Sequence, residues 1–417
     1  MLPRHERPWN LDGNELELLR ILHREEGLSR GALADRLGLS SATISVAVNR
    51  LVRRGMLEES GTRSEGVGRP AAILQLRPDA WSVLVYELAP GEVVVGRVSA
   101  TGSVLQARRH PLSPQVASDG GTLVALMARL GRELTEDAAG RAALRESDRG
   151  GVAGPLIGAA VSVSGVVHSG TIVHSAGLRL RDVPLAEPLG DALGLPVWVV
   201  NDMDARALAE FRYGAARQQH HVLMVAIEPQ GIGAGLIEHG EPYQGSQGSA
   251  LELGHMTVER LGLACPCGKS GCLEVYAGEH AILPRARAIQ QRRDGSAAGS
   301  LGTGSVADEV EVLWKLAATD RDLHRVFEDA LHYFGIALSN LVTLLDPELV
   351  VVGGHLMRVL HPWGIERLVT FVRSNVFQPG KERGRIIPST LGSDAGLAGA
   401  SFFAVDQWLR AQKRSRV

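Results

Sequence analysis

At 417 residues, 45% of them hydrophobic, the chain is long enough for two or three domains with real cores. No apolar run approaches the roughly 18 residues of a membrane span, and the first ten residues hold no signal-peptide core. A cytoplasmic protein with no membrane partner is expected, while a net charge of −2 neither requires nor excludes nucleic acid.

Residues 1–78 read as a small helical unit followed by a wing. Leu16, Leu19 and Leu22 share one helical stripe within 14–26, and Gly27 stops it. Ser29 suits the cap of a short second helix that buries Leu33 and Leu37. After the turn at Gly38, Ser40 or Ser41 caps a third helix, which buries Ile44, Val48 and Leu51 and ends at Gly55. Its outer face offers Ser41, Thr43, Ser45, Asn49, Arg50 and Arg53, short polar groups for base edges and arginines for phosphates. Two β-type pieces, 56–58 and 71–76, bracket a Gly- and Arg-containing tip with Arg63 and Arg69. The pattern is a winged helix-turn-helix, a DNA-binding fold, and one copy binds weakly, so a homodimer or dimer of dimers on a two-fold operator is expected. A three-helix cap for protein docking is the alternative, because 12 Arg against 10 Asp and Glu over this stretch is only mildly basic.

Residues 79–200 are strand-rich. Runs at 81–88, 93–99 and 104–109 are joined by turns at Pro90-Gly91 and Thr101-Gly102, and a helix covers 121–135. Buried strands follow at 156–163 and 195–200, the second delivering Asn201 and Asp202 at its carboxyl end. Ligands of open α/β sheets sit there, so Asp202 suits a general base, or else caps the next helix.

The last stretch, 201–417, opens with paired strands at 222–227 and 233–237. All three cysteines, Cys265, Cys267 and Cys272, then fall within eight residues, and His255 stands ten before the first. This is the Cys₃His set of a closed tetrahedral site, with Pro266, Gly268 and Gly271 providing the tight backbone; structural Zn²⁺ is expected, with unliganded thiols the alternative. A helix at 281–292, a Gly/Ser-rich insert at 294–305, a long helical region at about 307–345 and a buried strand at 349–352 complete the pattern.

Five segments in this order, VVNDMDARALAE, GIGAGLI, ELGH, CPCGKSGCLE and DPELVVVGG, resemble the ROK family (repressors, open reading frames, kinases), and most of all its sugar-responsive repressors. The resemblance implies an α/β actin-like (ribonuclease H-like) two-lobe sugar-kinase-type domain behind the winged helix-turn-helix: first lobe 79–200, second lobe 201–417, dimerisation in the second lobe, and a C-terminal helix that can return to the first. It also implies that Asn201, Asp202, Glu252, His255 and Glu274 face a sugar between the lobes, with Asp202 at the position of the kinases' base and His255 both metal ligand and sugar contact.

Departures from the kinase pattern are equally informative. The phosphate loop falls on 87–92, where Pro90 has no N–H to give, Ala89 adds a Cβ, and Glu92 places a negative charge where ATP should be met. Gln230 and Leu251 replace a Thr and a Gly usual in the family. The expectation is a regulator, not an enzyme: an operator-binding repressor of carbohydrate metabolism whose effector, a sugar or sugar phosphate, changes lobe closure. An ATP-dependent hexose or N-acetylhexosamine kinase with an added DNA-binding domain is the alternative, and a zinc sensor the third.

Overall fold

A computed structural model describes residues 10–63, 71–136, 153–294, 305–377 and 384–414. Contacts divide the chain into two units, Met1–Arg212 with Gly392–Val417, and Tyr213–Leu391.

The first unit begins with helices α1 (Gly13–Arg24), α2 (Arg30–Leu37) and α3 (Ser41–Arg53), with the short strand β1 (Leu28–Ser29) between the first two. Each helix is started by its own side-chain cap. Asp12 and Glu15 form a reciprocal capping box on α1, Ser29 accepts from Ala32 N–H, and Ser40 accepts from Thr43 N–H. Gly38, at φ +62°, closes α2 in the left-handed conformation that the tight turn requires. Strands β2 (Leu57–Arg63) and β3 (Ala71–Leu76) complete a three-stranded sheet in the order β1-β3-β2. The wing tip with Arg69 lies outside the described residues, as does the side chain of Arg63.

Next come β4 (Ser82–Ala89), β5 (Glu92–Ser99), β6 (Val104–Pro111), α4 (Pro114–Ala117), α5 (Gly120–Glu136) and β7 (Leu156–Val163). A side sheet of β8 (Val166–His168), β9 (Thr171–Ser175) and β10 (Leu180–Pro184) follows, one the sequence pattern did not disclose. The unit continues through α6 (Ala186–Leu193), β11 (Val197–Asn201) and α7 (Asp202–Tyr213). Its main sheet runs β11-β7-β4-β5-β6, with β4, β5 and β6 an antiparallel meander and β7 and β11 added in parallel. One face of this sheet packs on α5 and α6.

The second unit repeats the plan. It holds β12 (His221–Glu228), β13 (Gly231–Glu238), β14 (Glu241–Pro242), a 3₁₀ turn (Leu253–His255), α8 (Glu274–Ala277), α9 (Glu279–Asp294), α10 (Val306–Ala317) and α11 (Arg321–Leu345). After these come β15 (Leu349–Gly353), α12 (His355–Val359), α13 (Trp363–Asn375) and β16 (Arg385–Pro388). The sheet order β14-β13-β12-β15-β16, with β15 and β16 parallel to β12, matches the first unit strand for strand. The helical region expected over 307–345 is two helices, because Asp320 leaves the helical conformation and caps α11 through Asp322 and Leu323 N–H.

The last helix, α14 (Ala395–Arg414), belongs to the first unit and explains how the winged domain is held. Its apolar face joins one continuous core with Trp81, Val85 and Ala160 of the sheet side and Leu18, Leu22 and Leu51 of the winged domain. Asp406, buried, lies between Arg24 (2.7 Å) and Arg410 (2.6 Å). Burial opposes its charge, but Arg24 and Arg410 hold its carboxyl below the usual range. Lys413 of the same helix pairs with Glu17 of α1 at 2.7 Å.

His23 stacks on Phe402 of α14 with ring centroids 4.3 Å apart, and its Nε2–H donates to the Phe402 carbonyl at 3.0 Å. Burial, reinforced by Arg212 and Arg24, pushes it down to about 3 from 6.5. The folded chain therefore keeps His23 neutral, while the unfolded chain takes up a proton below pH 6.5. Stability from this residue is present at neutral pH and lost as pH falls from 6.5 toward 3, by about 2 kcal/mol between pH 7 and pH 5. Unfolding free energies from urea at the two pH values should differ more in the natural chain than in His23→Gln, by that amount. Equal spacing in both would show that the residue does not titrate this way.

Candidate functional site

On the DNA-reading helix α3, Ser41, Asn49, Arg50 and Arg53 are exposed, whereas Thr43 and Ser45 are half-buried. Thr43 Oγ1 is 2.8 Å from Ser40 Oγ at the cap. Two side chains have internal partners that the sequence did not disclose. Arg50 pairs with Asp12 at 2.9 Å, and Asn49 Oδ1 accepts from Arg30, which also pairs with Glu59 of β2. Arg30 and the half-exposed Val46 complete this face; Val46 is an apolar residue on a helix face where the pattern expects polar ones.

In the first unit, β11 delivers Asn201 and Asp202 to the start of α7, both half-buried. Asn201, not Asp202, is the cap: its Oδ1 accepts from Met203 N–H (2.8 Å) and Asp204 N–H (3.1 Å), while Nδ2 donates to Gly165 O (2.9 Å). Asp202 is thereby relieved of capping. Gly165, at φ +126°, has no room for a Cβ, which would sit 2.3 Å from His174 O.

The 87–92 loop is filled from within. Glu87 pairs with Arg206 of α7 at 3.2 Å, and its carboxylate lies against the first turn of α14, where a Cβ on Gly396 would be 2.9 Å from it. Pro90 packs on Gly177 so closely that a Cβ there would meet the ring at 2.7 Å. The Glu87 carboxylate is thus paired with a cation and set against the start of α14. Glu92 pairs outward with Arg109 at 2.6 Å, so its charge is partly answered.

In the second unit, His255, Cys265, Cys267 and Cys272 place one ligand atom each within 4.8 Å of one another, a set able to hold a metal ion. His255 Nδ1 is 3.9 Å from Cys265 Sγ, and Cys267 Sγ is 3.7 Å from Cys272 Sγ. Backbone bonds shape the loop: Cys265 N–H donates to Lys269 O (2.7 Å), Gly268 N–H to Cys265 O (3.0 Å), and Gly271 N–H to Leu263 O (2.8 Å). Gly271, at φ +78°, passes so near Glu259 that a Cβ would lie 1.8 Å from its carbonyl oxygen. Burial, with the neighbouring sulfurs, pushes the Cys272 thiol up to about 12, while the Lys269 backbone N–H lowers Cys267. A crowded thiol trio of this kind ionises together when a cation offsets the charge.

Nδ1 faces the sulfurs, so Nε2 is the ring nitrogen on the far side of His255. Glu274, at the start of α8, is largely buried and pushed up to about 7 by burial, with Ile232 N–H donating to its Oε2 at 2.9 Å. The glycines of GIGAG and ELGH make its room: a Cβ on Gly231 or Gly254 would lie 3.2 or 2.4 Å from this carboxylate. Glu252 is exposed and precedes the 3₁₀ turn that carries His255. Leu251 keeps φ +63°, a left-handed backbone where the family usually has Gly. The Gly353-Gly354 pair is structurally required, since a Cβ on Gly354 would be 2.3 Å from Ile227 O. Beside it, buried Glu279 holds His355 Nδ1 at 2.8 Å.

The sequence profile of the ROK family matches residues 147–407. The chain belongs to the ROK family. A MarR-family profile matches residues 9–70, covering the winged helix. The chain is 26% identical to the xylose repressor of Bacillus subtilis (strain 168) over 401 residues, 95% of this chain and 96% of that one. It is 30% identical to a glucokinase of Halalkalibacterium halodurans over 260 residues, 60% of this chain and 77% of the enzyme. Its fold is similar to the crystal structure of a ROK family transcriptional regulator, a homolog of E. coli MLC protein, with a TM-score of 0.76, 23% identity and coverage of 96% of this chain and 97% of that one. The ROK fold expected from the five segments, with its leading winged helix-turn-helix, is the one found. Among the described residues, no helix is long and apolar enough to cross a membrane.

Proposed function

We propose that this ROK protein is a sugar-responsive, DNA-binding transcriptional repressor that works as a dimer and carries structural Zn²⁺ at His255, Cys265, Cys267 and Cys272. The observation that carries the reading is the pairing of a winged-helix unit, matched by the MarR-family profile, with an 87–92 loop closed by Glu87, Arg206 and Pro90. The full-length similarity to a chain named xylose repressor supports it. Exposed Ser41, Asn49, Arg50 and Arg53 are the proposed DNA contacts, with Thr43, Ser45, Arg63 and Arg69 beside them. The sugar's hydroxyls are proposed to meet Asp202 and Asn201 in the first unit and Glu252, His255 and Glu274 in the second. Carboxylates and a metal-oriented imidazole supply acceptors and a fixed ring for such a ligand.

Helix α7 gives the effector a route to the DNA within the first unit. It spans 12 residues, about 18 Å, from Asp202 to its last turn. There Arg212, 5% exposed, donates to His23 O at 2.6 Å and pairs with Glu26 at 2.8 Å. The other end of α1 pairs through Asp12 with Arg50 and through Glu15 with Arg54. A displacement of α7 by the ligand is therefore handed to α1 and then to the reading helix. A tenfold change in operator affinity requires about 1.4 kcal/mol of such coupling.

The test is footprinting of the full chain on the DNA upstream of its own gene, with and without xylose and glucose, beside a coupled ADP-release assay on both sugars. One protected two-fold site, weakened by a sugar and at least tenfold by Arg50→Ala, is expected. The Arg50–Asp12 pair is exposed on both sides, so its loss should cost little stability. The kinase reading is favoured by the glucokinase similarity and by Asp202. Sugar-dependent ADP release abolished by Asp202→Asn, with no protected site, would establish it instead.

A further inference from the structure

Outside the cysteine knuckle, a second group of ligating side chains gathers at the far end of the β12–β13 pair. We propose that His221, Glu238 and His239 form an exchangeable site for a first-row divalent cation of the zinc and nickel type.

The strand register makes the first contact. His221 opens β12 and is the direct antiparallel partner of Glu238, the last residue of β13, so their side chains stand next to each other on one face. The second contact comes from the turn. Glu238 pairs with Glu241 of β14, which leaves His239-Gly240 as a two-residue hairpin loop with φ +50° and +79°. A loop with both residues left-handed is the natural place for Asn-Gly or Asp-Gly, and a histidine in its first position is strained. That backbone takes the His239 ring away from strict alternation. It lies edge-on to His221 with centroids 4.8 Å apart, closer than to His220 at 6.0 Å. One ligand atom from each of His221, Glu238 and His239 then falls within 4.8 Å of the others.

The frame under these side chains is tied down before any ion arrives. His239 N–H donates to His220 O at 2.8 Å, extending the ladder by one step. Glu348 clamps the other side: its carboxylate accepts from His220 N–H at 2.7 Å and its N–H donates to His221 O at 3.0 Å. A metal therefore needs small side-chain adjustments and no refolding of the backbone. A strained residue kept on a braced frame, with its ring turned toward a second imidazole and a carboxylate, points to a ligand.

Donor chemistry sets the class of ion. Two imidazoles and one carboxylate suit Zn²⁺, Ni²⁺, Co²⁺ or Cu²⁺, and discriminate against Mg²⁺ and Ca²⁺, which favour all-oxygen shells. His221 is half-buried while Glu238 and His239 are exposed, so an ion there keeps water in its remaining positions and exchanges with solvent. The knuckle differs in kind, with two of its three thiols buried.

Equilibrium dialysis of the full chain without a histidine tag tests this, with bound metal counted by elemental analysis before and after exposure to Ni²⁺. The natural chain should gain one equivalent of total metal. His239→Asn supplies the residue that the turn favours, so it keeps the hairpin while removing a ligand. That variant and His221→Gln should both lose the added equivalent and keep the metal present at purification, and His220→Gln should retain both. No gain in total metal by the natural chain, Ni²⁺ merely replacing the metal already present, or a gain that persists in His239→Asn and His221→Gln would overturn the proposal.

Discussion

Arg212→Ala is expected to leave sugar affinity near that of the natural chain and to abolish the change in operator affinity that sugar causes. Arg212 is where the end of α7 meets α1, through Nε–H to His23 O and an ion pair to Glu26. Alanine leaves the His23 carbonyl facing a space from which its donor has gone, a loss of about 2–3 kcal/mol in urea unfolding. The Glu26 pair adds little because that carboxylate is half-exposed. Gel shifts with and without sugar read the coupling, and calorimetry of the free chain reads sugar binding. Arg212→Lys keeps the charge without the planar fork and should restore only part of the response. A full response in Arg212→Ala would show that α7 is not the route.

Cys272→Ser should have the largest effect on the second unit. Cys272 is fully buried, and its thiol is one of the four groups that converge on the knuckle. Structural zinc contributes on the order of 10 kcal/mol of apparent binding energy, which is folding energy where the site is unformed without metal. The variant should be isolated without the proposed zinc, with early proteolysis in the 256–273 loop and a lowered melting temperature. Sugar affinity should fall with it, because His255 shares the cluster and Glu274 sits under the turn that carries His255. Cys267→Ser removes an exposed thiol and should give the same loss of sugar response with a smaller loss of stability. Normal sugar binding in a metal-free variant would disconnect the knuckle from the ligand.

The reading from sequence succeeded where a signal is local. Ser29, Ser40 and Gly38 announce the winged helix because caps and left-handed turns act over three or four residues. The Cys₃His group was legible because its turn glycines and thiols are close in the chain. Pro90, Ala89 and Glu92 depart from the kinase pattern by residue type, and that departure needs no tertiary structure to be read. Reading failed where periodicity continues across a cap, so that Asp320 was passed over and two helices were taken as one region. It left open whether Asp202 is a base or the cap of the next helix, and only the bonds from Met203 and Asp204 N–H to Asn201 show that the cap is elsewhere.

The sequence by itself determined the kind of protein: a winged helix followed by a ROK domain, with a thiol-rich knuckle and residues at 87–92 that depart from the kinase pattern. These are properties of residue type and short spacing. Tertiary structure alone decided how the parts act on one another. Arg206 closes on Glu87 across 119 positions, Arg212 reaches His23 across 189, and His23 meets Phe402 across 379. Such pairs leave no local pattern, since any arginine or histidine at those positions would read as an ordinary polar residue of its helix. Only the tertiary packing of α14, α7 and α1 gives them partners.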